Sequence, residues 1–202
     1  MQRSLRNCCQ LLAICHMDYN ELLKDCLKLK PEAQRKLYEH FAPSMLGVCF
    51  RYTKSQDDAE DVLQDGFVKV FKHLKQYKSN GELGAWIRKI MVNTALNYLK
   101  TTRKYQYDLL FDETPLHVVS TENPDVKLQT KELAELIRQL PTGFQTIFNL
   151  HAIEGYTHVE IASMLGISDG TSRSQYARAR GLLIEWIEKS SLKAQGENYG
   201  RK

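Results

Sequence analysis

Arg173, Ser174, Ala177 and Arg178 fall on one side of a segment whose other side repeats Ser172, Tyr176, Ala179 and Leu183 at helical spacing. A helix presenting guanidiniums and short polar side chains on one face has the chemistry to enter a major groove. There arginine reads guanine edges or grips phosphate. Gln175 and Arg180 are expected on the flanks of that face. The elements that would hold the helix lie in the same stretch, Thr157 to Leu183, THVEIASMLGISDGTSRSQYARARGLL. Thr157 and Glu160 have the spacing of a capping box ahead of an apolar run. Ile161, Ala162 and Leu165 supply an inner face, with Ala162 small enough to admit a crossing helix. Gly166 sits where a helix end needs positive φ, Ile167 plugs the turn, and Ser168 can cap the next helix. The segment predicts a helix-turn-helix with duplex DNA as its ligand.

The bulk numbers permit one or two small domains in 202 residues, at 43% hydrophobic and 26% charged. The formal charge of +4 is modest, but it is unevenly spread. Gly66 to Lys104 holds nine Lys or Arg and one acid, Glu82, whereas Thr53 to Asp65 holds Asp57, Asp58, Glu60, Asp61 and Asp65 against Lys54. Such segregation suggests two partners, one anionic and one basic. The five cysteines (Cys8, Cys9, Cys15, Cys26, Cys49) have an odd count and no CxxC pair, which argues against a disulfide framework or a zinc site. Cys26 and Cys49 fall on apolar helical stripes and are expected to be buried thiols of a reducing cytosol. The apolar run Leu11 to Cys15 is too short for a secretory signal, and no stretch reaches transmembrane length. A cytoplasmic protein without membrane insertion is expected.

The chain reads as helices throughout. Tyr19 to Leu29 forms the first, and Pro31 begins a second that Pro43 should kink or break before it resumes to Tyr52. A third, capped by Ser55, carries the stripe Ala59, Val62, Leu63, Phe67, Val70, Phe71 and Leu74. After the loop YKSNGELG, a fourth turns Trp86, Ile87, Ile90, Met91, Ala95, Tyr98 and Leu99 inward. Tyr105 to Asn123 loses the helical period, which returns near Asp125 and restarts after Pro141. The expected fold is all-α, two helical domains on a flexible linker. Residues 1–16 are expected to be a disordered extension, 17–104 the first domain, 105–124 the linker, 125–190 the second domain and 191–202 a disordered tail.

The stretch DDAEDVLQDGFVKVFKHL, followed by a short loop and AWIRKIMVNTALNYLK, resembles the second conserved domain of bacterial sigma factors. The stretch LPTGFQTIFNLHAIEGYTHVEIASMLGISDGTSRSQYARAR resembles their fourth. Together they cover Tyr19 to Lys189, with no room for the first and third domains of a housekeeping sigma factor. The chain is therefore similar to the compact extracytoplasmic-function (ECF) group, the alternative sigma factors of signal response. The resemblance implies that Asp61, Gln64 and Asp65 dock on a coiled coil of the largest subunit of core RNA polymerase. Asp57 and Asp58 are assigned instead to stabilising a helix N-terminus.

The same resemblance places the minus-ten promoter element on the basic helix and the loop before it. Arg88, Lys89, Lys100 and Arg103 would hold the phosphates of the melted strand. Ser79, Asn80 and Glu82 would help form a pocket for an unstacked base, with Asn93 and Asn97 as further contacts. Leu83 stands where many relatives have an aromatic residue, and Trp86 is read as a core anchor rather than a base platform. Lys69, Lys72, Lys75 and Lys78 would add nonspecific attraction. Arg173, Ser174, Ala177 and Arg178 would meet the minus-thirty-five element, with the linker threading the polymerase cleft. An anti-sigma factor is a further implied partner.

An enzyme would need a convergent site, and none is evident. In HAIEGYTH, His151 and His158 lie seven apart rather than four and are read as one core and one surface histidine, not metal ligands. No catalytic residue, metal, cofactor or small-molecule substrate is expected. The main rival is a stand-alone helix-turn-helix regulator that binds duplex DNA without polymerase.

Overall fold

A computed structural model describes residues 19–78, 81–101 and 130–199, as backbone alone at 130–131 and 191–199. The expectations for residues 1–16 and for the linker at 105–124 lie outside the described residues. All regular structure among the described residues is helical. By chain contacts they divide into two compact units, residues 19–49 with 57–94, and residues 50–56 with 95–199.

In the first unit, α1 (Tyr19–Leu27) buries Leu23 and Cys26. Burial pushes the Cys26 thiol up in pKa, with the neighbouring Asp25 charge adding to the effect. After α1 the chain reverses through Leu29, a non-glycine at φ 59° whose side chain is 74% exposed. Lys30 anchors the turn from its ammonium to Asp25 at 2.9 Å, which holds that carboxyl below its usual pKa.

Helix α2 (Pro31–Phe50) starts on a proline, whose missing N–H costs nothing in a first turn. Of the kink or break expected at Pro43, the break does not occur: the helix runs through it. Leu37 before the proline and Met45, Val48 and Cys49 after it are all buried, so packing on both sides holds the axis together. The Ser44 hydroxyl also donates to the carbonyl of Phe41.

Helix α3 (Gln56–His73) has Asp57 and Asp58 in its first turn and Lys72 and His73 in its last, both matching the helix dipole. It ends in a single tight turn, Leu74–Gln76. Its buried stripe includes Gly66, which lies against Met91 so closely that a Cβ would collide with the thioether sulfur. Met91 belongs to α4 (Leu83–Thr101), so a missing side chain on α3 sets how near α4 can approach. Along α4, Leu83, Ile87 and Met91 are buried at intervals of four, while Trp86, Ile90 and Tyr98 are half-buried.

The second unit contains α5 (Thr130–Gln139), α6 (Thr142–Phe148), α7 (His158–Leu165) and α8 (Asp169–Tyr199). A wide turn, Asn149–Ile153, extends α6. Ile137, Leu140, Phe144, Ala179 and Leu183 form its core, with Trp186 packed on the edge. The segment 50–56 is bound into this unit by polar contacts. The Arg51 guanidinium donates to the Glu154 carboxylate at 2.8 Å, and the Gln145 and Asn149 amides donate to the Arg51 carbonyl. The Lys54 ammonium reaches the carbonyls of Arg138 and Leu140 and the Gln145 side-chain oxygen. These bonds engage both ends of the Gln145 amide, which explains how it tolerates burial at 2% exposed.

Candidate nucleic-acid interface

The helix-turn-helix is built as its local chemistry dictates. The Thr157 side chain accepts from the backbone N–H of Glu160, and the Glu160 carboxylate accepts in return from the Thr157 N–H at 2.8 Å. Helix α7 ends on Gly166 in the left-handed region at φ 72°, with its N–H donating to the Ala162 carbonyl. The N–H of Thr171 donates to the Ser168 hydroxyl at 2.9 Å, capping the start of α8.

On α8, Ser172, Ala179 and Leu183 are buried and Tyr176 is half-buried, as the periodicity predicts. Arg173, Ser174 and Ala177 are exposed, and Arg178 is half-buried at the edge of the same face. Gln175 departs from expectation: it is 6% exposed and belongs to the inner side, not the flank. The Arg173 Nε donates to the Asp169 carboxylate one turn back at 2.9 Å.

Behind the face lies an aromatic stack. The rings of His151 and His158 are stacked with centroids 4.2 Å apart, and Tyr176 meets His151 edge-on at 4.6 Å. The expectation of one core and one surface histidine is therefore corrected: both are half-buried and in contact. The reason is Gly155 at φ 79°, which reverses the chain so that positions seven apart meet across a turn rather than along a helix. The His151 Nδ1 donates to the Tyr156 carbonyl, and the His158 Nδ1 bonds the Ser172 hydroxyl. Burial, then the neighbouring His151 and Arg173 charges, lower the His158 pKa, with Asp169 opposing them. Among the described residues no group of three or more His, Cys, Asp or Glu is arranged to hold a metal ion.

In the first unit, Asp61, Gln64 and Asp65 are all exposed on one face of α3. Val68, 66% exposed, continues that face and was not singled out by the sequence. On α4, Lys89 and Asn93, and then Asn97 and Lys100 in the part of the helix that belongs to the second unit, are exposed at spacings of four, four and three, which aligns them in one polar stripe. Arg88 is half-buried beside that stripe, and Lys100 donates to the Met164 carbonyl at 2.9 Å. Glu82 is exposed just before α4, and its carbonyl accepts from the N–H of Trp86. Trp86 packs on Tyr77, ring centroids 5.5 Å apart, and Tyr77 donates to the Gly81 carbonyl. Lys69 donates to Thr94, so one of the four lysines assigned to general attraction is engaged within the fold. Ser79, Asn80 and Arg103 lie outside the described residues.

A capped helix-turn-helix, an exposed acidic face on α3 and a polar-basic stripe along α4 are features that suit a helical DNA-binding protein. Two family models match, Sigma-70 region 2 over residues 37–105 and Sigma-70, region 4 over residues 130–183. The ECF RNA polymerase sigma-E factor of Haemophilus influenzae is 28% identical over 163 residues, spanning 75% of this chain and 86% of that protein. The RNA polymerase sigma factor SigV of Bacillus subtilis is 28% identical over 145 residues, spanning 72% and 85%. Among solved structures, the sigma factor RpoE in complex with the anti-sigma factor NepR from Bartonella quintana aligns with a TM-score of 0.48 at 20% identity, covering 76% of this chain and 96% of that one. The chain belongs to the ECF group of RNA polymerase sigma factors.

Proposed function

We propose that this chain binds core RNA polymerase and directs it to a dedicated set of promoters. The observation that carries the reading is the pairing, in one chain and in order, of a Sigma-70 region 2 match with a region 4 match that contains the helix-turn-helix. Asp61, Gln64 and Asp65 form the polymerase-docking face, since exposed carboxylates on one helix side suit a basic helical partner. Lys89, Asn93, Asn97 and Lys100, with Arg88 and Glu82 beside them, receive the melted minus-ten strand; Ser79, Asn80 and Arg103 extend the same assignment. Arg173, Ser174, Ala177 and Arg178 read the minus-thirty-five duplex.

On this reading residues 17–104 and 125–190 are the two working domains, with 105–124 as the tether. The protein acts in the cytoplasm as an initiation factor rather than as an enzyme. Among the described residues no helix is long and apolar enough to cross a membrane. An anti-sigma factor that covers these surfaces is the expected regulator.

Transcription by bacterial core polymerase on a pooled promoter library, with and without the protein, tests the proposal. Defined transcripts that need the protein are expected. Tight duplex binding without polymerase, and no initiation with it, would instead identify a stand-alone regulator.

A further inference from the structure

Arg173 does not extend freely from α8. Its Nε donates to Oδ2 of Asp169, the first residue of that helix, at 2.9 Å. Among the described residues the other oxygen of that carboxylate, Oδ1, has no hydrogen-bond partner and is shut off from solvent. The turn beneath it is tied by the Ser168 cap and by a 2.8 Å bond between the Ser168 and Thr171 hydroxyls.

An exposed ion pair one turn apart contributes little to stability. Its consequence here is chemical. With Nε occupied, the donors left on Arg173 are its two terminal amino groups, the pair that forks onto O6 and N7 of guanine. Holding a long side chain in one geometry before binding also removes ordering entropy that the complex would otherwise lose. The carboxylate has an opposite effect on affinity, because a negative charge on a DNA-facing helix repels phosphate at every sequence.

Resting on the assignment of α8 to the minus-thirty-five element, we infer that Asp169 is a positioning residue that sets the selectivity of Arg173 for a single guanine there. It exchanges general affinity for base discrimination.

The test uses holoenzyme assembled from core polymerase and the full chain, on promoters with a randomised minus-thirty-five element. Arg173→Ala should flatten the preference at one position by about tenfold or more. Asp169→Asn should flatten the same position several-fold, spare the others, and raise binding to unrelated DNA. Added to Arg173→Ala, it should change the preference no further. Asp169→Ser, which keeps a residue suited to a helix start, should behave like Asp169→Asn at an unchanged melting temperature. If Arg173→Ala flattens a position that Asp169→Asn and Asp169→Ser leave intact, the inference is overturned while the promoter assignment survives. A uniform loss at every position with either Asp169 variant overturns it too, as a merely structural role. If Arg173→Ala alters no position, the assignment of α8 itself falls, and the inference with it.

Discussion

The polar face of α8 is compact: it starts at a capped helix end, and the first of its two arginines, Arg173, is paired with a carboxylate on the same helix. The polar stripe of α4 runs from Lys89 to Lys100 on a helix with no carboxylate at all. Both faces are cationic, yet they suit different forms of DNA. A short, buttressed face matches a duplex, where base edges occupy fixed positions in a groove. A longer row of lysine and asparagine matches a single strand, where phosphates must be followed and displaced bases can meet amide groups. Each face has one cation tied to the protein, Arg173 at Asp169 and Lys100 at the Met164 carbonyl, so the difference lies in the length of the row and in the asparagines that α4 carries.

Removing the scaffold of the compact face should have the largest effect. Phe144 is 2% exposed in the core beneath α8, and Phe144→Ala should cost about 3–5 kcal/mol. Denaturant unfolding would show this, and minus-thirty-five binding should disappear with it. Reversing charge on the α3 face comes next. Asp61→Lys with Asp65→Lys should weaken association with core polymerase by tenfold or more, on the order of 1.4 kcal/mol, chiefly through the on-rate. Stopped-flow association at several salt concentrations would check it; an unchanged rate would remove that face from the docking surface.

A smaller effect is expected where the chain reverses through left-handed backbone. Gly166 meets that need with glycine, whereas Leu29 meets it with a branched residue at φ 59° and an exposed side chain. Leu29→Gly should therefore stabilise the first unit by about 1 kcal/mol, read as a raised unfolding midpoint. The smallest effect concerns acid. The His158 pKa is lowered on folding, so the unfolded chain binds a proton more readily. The stability this provides is present above the ordinary histidine value of 6.5 and declines as pH falls below it toward the folded value. His158→Gln should flatten the dependence of melting temperature on pH between about 7 and 5. A wild-type profile that is already flat would contradict this.

Where structure depends on near neighbours, the sequence was a good guide. Thr157 with Glu160, Gly166, and Ser168 each act within one helical turn, and each takes its expected place. The inner residues of α8 also follow from spacing, except Gln175, whose burial depends on what packs over it. Pro43 stays within a continuous helix because its flanking residues share a core, which no local rule reveals. The His151–His158 stack and the bonds from Arg51 and Lys54 to distant residues are likewise long-range. Asp169 was missed for a different reason. An acid at the start of a helix is already accounted for by the helix dipole, so sequence alone does not single out its pairing one turn on.

The division of labour between α4 and α8 is tested most directly by comparing initiation on a closed promoter with initiation on one already opened across the minus-ten element. A variant combining Lys89→Ala, Asn93→Ala and Asn97→Ala should initiate poorly on the closed template and recover much of its activity on the opened one. Arg173→Ala should be impaired on both whenever the minus-thirty-five element is required. Equal impairment of the α4 variant on the two templates, or rescue of Arg173→Ala by opening alone, would contradict the account.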